Sequence, residues 1–193
     1  MSVVWKKKDL PTLAEKKIAI VNEACQAEIY NGINVELSHG VEHFSLTIHD
    51  QTNIESMFTT ITLGAKECQY HCDGGEIKSY TAEDIVVLYA AYKNFVSKQT
   101  TYCNLLKTWI RREPDKTILG DIVYGCDLPD DLDSKMRESI EASVKQIQDI
   151  VATVNDGAFI DKIVSLENQM TETQMALCDV YEQVIAVMSI QEV

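Results

Sequence analysis

Phe44-Ser45-Leu46-Thr47-Ile48-His49-Asp50-Gln51-Thr52-Asn53-Ile54 is the stretch on which the reading of this chain turns. Phe44, Leu46 and Ile48 alternate with polar residues, as in a strand with one buried face, and an Asp/Gln/Thr/Asn cluster then hands over to helical spacing. A strand running into a helix is predicted, with the Asp50 carboxylate as the cap. The helix carries Ile54, Met57, Phe58 and Ile61 on one face and stops near Gly64.

Upstream, Ile18, Val21, Ala24, Cys25 and Ile29 recur at helical spacing between Leu13 and Tyr30, with Pro11-Thr12 ahead and Asn31-Gly32 as a stop. Ile33, Val35 and Leu37 then alternate with polar residues, Ser38-His39-Gly40 turns the chain, and Val41-Glu42-His43-Phe44 begins the returning strand of a hairpin. Downstream, a second extended pair is expected from Cys68-Gln69-Tyr70-His71 and Glu76-Ile77-Lys78-Ser79 around Asp73-Gly74-Gly75. Thr81-Ala82-Glu83-Asp84 places acids in the first turn of a long helix, where they suit the helix dipole. Along that helix Ile85, Leu88, Tyr89, Tyr92, Phe95, Val96, Tyr102, Cys103, Leu106, Trp109 and Ile110 recur every three or four residues. The predicted order is helix, hairpin, helix, hairpin, helix.

Charge divides the chain. Residues 1–112 hold 13 acids against 12 Lys and Arg, for −1, whereas residues 113–193 hold 17 against 5, for −12. Pro114 and the turn-rich stretch with Gly120, Gly125 and Pro129 mark a change between the two parts. The expectation is an α+β, mainly α protein: a compact domain over 1–112 that folds on its own, a linker over 113–129, and a long-helix, coiled-coil-like part over 130–193. In that last part Ile140, Val144, Ile147, Val151 and Val154 are spaced four, three, four, three, which is a heptad seam. Asn155-Asp156-Gly157 interrupts it, and Ile163, Leu166, Met170, Thr173, Leu177, Val180, Val184 and Val187 restart it with one polar member. The two runs either fold back as a hairpin or continue as one stalk with a stutter. All these apolar seam residues are the expected oligomer or partner interface. A two-helix hairpin alone leaves much of each seam wet, and self-association is the preferred solution over docking on the first domain.

Chemistry is sparse. Glycine totals 8, and no G-x-G-x-x-G or G-K-[ST] occurs, so no nucleotide loop is expected. Cys68, His71 and Cys72 lie within five residues, but no second ligand pair accompanies them, so no metal is assigned. His39, His43 and His49 near Glu42 and Asp50 lack a recognisable nucleophile, and a hydrolase built on His49 and Asp50 is the weakest reading. The stripe Tyr89, Tyr92, Phe95, Tyr102 and Trp109 reads as core, and Lys6-Lys7-Lys8 as a solvated arm. Neither catalytic residues nor cofactors are expected. An acidic chain is repelled by phosphates, so nucleic acid is not an expected partner. No run approaches the roughly 18 apolar residues of a membrane span, and the first residues lack the apolar core of a secretory signal, so a cytoplasmic site of synthesis is expected.

The element order, Asp50-Gln51 followed by Asn53-Ile54, the turn Asp73-Gly74-Gly75, the helix start Tyr80-Thr81-Ala82-Glu83-Asp84 and the aromatic-bearing helix together resemble a small domain of unknown function found in bacteriophage tail and tail-fibre proteins. The resemblance covers about residues 13–112. The C-terminal run from Leu166 through Gln183 is similar to the terminal helices of small phage tail-module proteins. These resemblances imply a non-enzymatic structural component of a tail, at the baseplate or fibre attachment region, with other tail or baseplate proteins as partners and a trimer as the favoured assembly. The implied location is the virion tail, with the bacterial host cytoplasm during assembly. A tail-fibre assembly chaperone absent from the mature particle is the alternative.

The six cysteines, Cys25, Cys68, Cys72, Cys103, Cys126 and Cys178, show no framework spacing, and in a reducing pool they are expected to be free. Intact-mass measurement after alkylation of the denatured chain without reductant is expected to show six labels, and a stable loss of two labels per bridge would contradict it.

Overall fold

The structure, a computed structural model, describes residues 11–155. In chain order it contains α1 (Leu13–Asn31), β1 (Ile33–Leu37), β2 (Gly40–Phe44), α2 (Ile48–Thr62), β3 (Glu67–Tyr70), β4 (Lys78–Thr81), α3 (Ala82–Arg112), α4 (Lys116–Asp121) and α5 (Asp130–Asn155). The protein is α+β and mainly helical. Its strands form two separate two-stranded antiparallel sheets, β1 with β2 and β3 with β4.

Three helices begin in the same way. Thr12, Thr47 and Thr81 sit in extended backbone, each hydroxyl accepts from the backbone N–H three residues on, and Glu15, Asp50 and Asp84 return a carboxylate to the cap residue. Thr47, and not Asp50, is therefore the cap of α2. The strand alternation accordingly ends sooner than expected: Leu46 is fully buried, but Ile48 is the first residue of the helix and 65% exposed. Gly32 closes α1 with φ of +84°, and a Cβ there would stand 2.0 Å from the Phe44 carbonyl oxygen. Only glycine lets the chain turn so close to β2.

In the first hairpin Val35 and Leu37 face inward from β1, and Glu42 and Phe44 from β2, with Val35 opposite Glu42. A carboxylate thus occupies an inward position. It is satisfied there, because the Tyr80 hydroxyl donates to Glu42 Oε2 at 2.6 Å and the Lys78 ammonium pairs with Oε1. Burial alone would raise the pKa of Glu42, but the donors Lys78 and Tyr80 outweigh it and hold the carboxyl below its ordinary range. The second hairpin pairs Glu67 with Thr81 through Tyr70 with Lys78. Its strands are displaced from the expected 68–71 and 76–79, and residues 71–77 form a longer loop. The Asp73 N–H donates to the His43 carbonyl at 2.9 Å, which draws this loop onto β2 instead of letting it close as a tight turn.

α3 is the common surface. Its first half buries Ile85, Leu88, Tyr89 and Tyr92 together with Ile54, Phe58 and Ile61 of α2 and the inward face of the first hairpin. Its second half buries Cys103, Leu106 and Ile110 with Val21 and Cys25 of α1. Leu119 and Ile122 join that second cluster, so the stretch 113–129 carries a helix and buried apolar residues. The aromatic stripe lies in these cores: Tyr89 and Tyr92 are buried, and Phe95, Tyr102 and Trp109 pack at the margins. Cys25, Cys68, Cys72, Cys103 and Cys126 are free thiols, while Cys178 lies outside the described residues, as do Lys6 to Lys8. Burial pushes the Cys25 thiol up to about 11, with the neighbouring Cys103 adding to the shift, so it packs as a small apolar side chain.

Asp84 does more than complement the helix dipole. Its carboxylate accepts from the Ser38 N–H and hydroxyl, both at 2.8 Å, and from the Thr81 N–H and hydroxyl at 3.1 and 2.9 Å. It ties the turn of the first hairpin to the start of α3. Burial would raise its pKa, but these donors prevail and hold it below the usual aspartate value. A depressed folded pKa contributes stability that is present above the unfolded value and is lost as pH falls through the folded one. Asp84→Ala is expected to cost about 1 to 2 kcal/mol at pH 7, because it removes the carboxylate half of the capping box and its charge-assisted bonds from Ser38, whose freed donors can turn to water. Denaturant titrations are expected to show this gap shrinking as pH falls below about 4, where the unfolded chain's aspartate begins to bind a proton, and closing as the folded carboxylate titrates lower still.

Candidate interaction surface

α5 runs back along α3. Arg112 at the end of α3 grips Asp131 at the start of α5 with two hydrogen bonds of 2.6 and 2.8 Å, Ser97 meets Ser143 at 2.8 Å, and the far end of α5 reaches the beginning of α3. The two helices are therefore antiparallel. Leu132 and Ile147 are buried, and Ile150, Val151 and Val154 pack against the core around α2 and α3. Of the expected seam, Ile147, Val151 and Val154 thus meet the rest of this chain, and Ile140 and Val144 are half-buried. Ile163, Leu166, Met170, Leu177, Val180, Val184 and Val187 lie outside the described residues, as does most of the Asn155-Asp156-Gly157 interruption.

The outer faces of α5 are charged. Arg137 pairs with Asp133 and Lys145 with Asp149 at one-turn spacing. Such exposed pairs are screened by solvent and contribute little, so the helix is held by its apolar face. Between α2, α3 and α5 lies a groove of about 610 Å³ with Tyr89, Val96, Ile147 and Ile150 on its apolar side. On its polar side Glu55 accepts from the Lys93 ammonium at 2.6 Å and the Tyr92 hydroxyl at 2.7 Å, and Lys93 also stands over the Tyr89 and Tyr92 rings. Lys93 first, then Tyr92, pulls the Glu55 carboxyl below its ordinary pKa. Both charges are already matched within the chain.

The histidines separate. His39 is exposed in the hairpin turn, its ring edge-on to Tyr80 at 5.7 Å, and His49 is exposed on α2. His43 Nδ1 meets Asp73 Oδ2 at 2.9 Å, and the Ser45 hydroxyl lies 3.0 Å from both Asp73 Oδ1 and Asp50 Oδ2. Serine, histidine and aspartate are thus gathered in one place, but the hydroxyl faces carboxylates and not the imidazole. A nucleophilic serine needs a base on its own proton, and here Asp73 instead bridges the two hairpins. Asp50 and His49 do not converge, because the Asp50 carboxylate is turned to Ser45 and Thr47. Cys68 points its thiol at the Met57 carbonyl, and the His71 ring contacts the Cys72 carbonyl. Among the described residues no three His, Cys, Asp or Glu side chains are placed to hold a metal ion, and no helix is long and apolar enough to cross a membrane.

Glu42 and Asp84 were the residues least visible in the sequence. One reads as a polar position in an alternating strand and the other as a dipole-matching acid. The one available sign was the Thr-x-x-Asp spacing of Thr81 and Asp84, which marks a capping box but not its second partner, Ser38.

Ile147→Ala is expected to lower stability by about 2 kcal/mol, whereas Val144→Ala, at a half-buried position, is expected to cost under about 1 kcal/mol. Equal effects of the two in chemical denaturation would show that α5 does not rest on α3 through Ile147.

No curated protein and no solved structure matches the chain. A family model described as a domain of unknown function, DUF4376, matches residues 12–124, from the cap of α1 through α4 and on to Tyr124. With more than half of the sequence matched in one continuous stretch, the chain belongs to this DUF4376 family.

Proposed function

We propose that the chain is a non-enzymatic structural component of a bacteriophage or phage-derived contractile tail, sited at the baseplate or the fibre attachment region. The observation that carries this reading is the resemblance of residues 13–112 to a domain of tail and tail-fibre proteins, read from the hairpin-to-helix stretch at Asp50, the turn at Asp73 and the helix start at Thr81. The carboxylates of that region support a structural role. Asp84 spends its hydrogen bonds on holding the first hairpin to α3, and Glu42 and Asp73 spend theirs on holding the first hairpin to the second. In this reading the partners are other tail or baseplate proteins, and the chain works in the virion tail after assembly in the host cytoplasm. Self-association, with a trimer favoured, rests on the heptad spacing of Ile163 through Val187, since Ile147, Val151 and Val154 already meet their own chain.

Quantitative mass spectrometry of purified tail particles from a producing strain is expected to detect the chain at a fixed ratio to the other tail proteins. Finding it in assembling lysates but not in finished particles would favour an assembly chaperone, and finding it in neither would overturn both. Sedimentation of the purified chain at micromolar concentration is expected to give an oligomer, and a monomer would remove self-association.

A further inference from the structure

At the point where α5 ends, the fold leaves an apolar groove open. Ile61 and Ala65 at the exit of α2, Val86 and Val87 in the first turns of α3, and Val151 and Val154 in the last turns of α5 line a cleft of about 690 Å³. Val87 is 40% exposed on it, although it stands beside Val86, Leu88 and Tyr89, which are buried. Among the described residues that line it, Glu83 alone is charged. An apolar side chain left in water beside a packed core gains by being covered.

We propose that this groove is the seat of the chain's own segment 158–164, with Phe159 and Ile160 covering Val87 and Val154. Three observations choose this occupant. The first is reach: Val154 is itself part of the groove wall, and Phe159 follows it by five residues, which span at most about 17 Å when extended. The second is the connection, since Asn155-Asp156-Gly157 is a composition that reverses a chain readily and lies between the wall and the segment. The third is complementarity: Ala158-Phe159-Ile160-Asp161-Lys162-Ile163-Val164 offers apolar residues in the quantity the cleft lacks, and Lys162 is the one cation of the last 48 residues, set against the exposed rim carboxylate of Glu83.

A photo-activatable benzophenone amino acid in place of Val87 in the full chain tests this, with isotopically labelled and unlabelled chains mixed before irradiation. The expected product is a cross-link within one chain to a peptide from 158–164. It is expected to fall at least tenfold with Phe159→Asp and Ile160→Asp combined, at unchanged far-ultraviolet circular dichroism. If that double variant fails to fold, Lys162→Glu is expected to weaken the cross-link and Glu83→Lys with Lys162→Glu to restore it. Cross-links between labelled and unlabelled chains would assign the groove to a second copy and overturn the proposal. Cross-links to other parts of the same chain, or none at all, would overturn it as well.

Discussion

A two-stranded hairpin is at best marginally stable alone in water, and the described residues contain two of them in separate sheets. Each needs a surface to cover its inward face, and α3 supplies it. At 31 residues the helix is about 46 Å long, enough for two cores placed end to end along it. The hairpins and α2 occupy the first half, and α1 and α4 the second. Two buried carboxylates fix the hairpin side of this arrangement: Asp84 binds the turn of the first hairpin to the start of α3, and Glu42 binds its second strand to β4. A carboxylate without partners would be costly at either place. Each therefore specifies one docking geometry, because any other would leave it unpaired.

The same economy governs the surface between the hairpins. Asp73 is held below its ordinary pKa because the Ser45 and His43 donors outweigh the effect of burial, and its backbone N–H bonds the His43 carbonyl. Ser45, His43 and Asp73 are residue types associated with hydrolysis, yet their hydrogen bonds connect one hairpin to the loop of the other. The residue types are those of a catalytic triad, but the geometry is that of a clasp.

α5 extends the logic beyond the region matched by the family model. The body up to Tyr124 is the shared unit, and α5 then folds back antiparallel along α3 and shields Ile147, Ile150, Val151 and Val154 from water. An acidic helix suits this place. Its charged faces stay in solvent, and a narrow apolar stripe does the packing.

Much of this was written in the local sequence. Helix, strand and turn alternate because hydrophobic period, threonine caps and the glycine at position 32 act over a few residues, and the apolar residues of α2 and α3 were legible as core for the same reason. The heptad of Ile140 through Val154 was equally plain, but periodicity states only that a face must be covered and not by what, so tertiary structure alone set it against α3 of the same chain. The stretch 113–129 looked like a connection because proline, glycine and acids dominate it, while Leu119 and Ile122 are buried only because α1 and α3 lie alongside. Glu42, Asp84 and Asp73 depend on partners 28 to 46 residues distant in the chain, namely Tyr80, Ser38 and Ser45. Short-range preference fixes which elements form, whereas the burial of a charge is decided by what the folded chain brings to it.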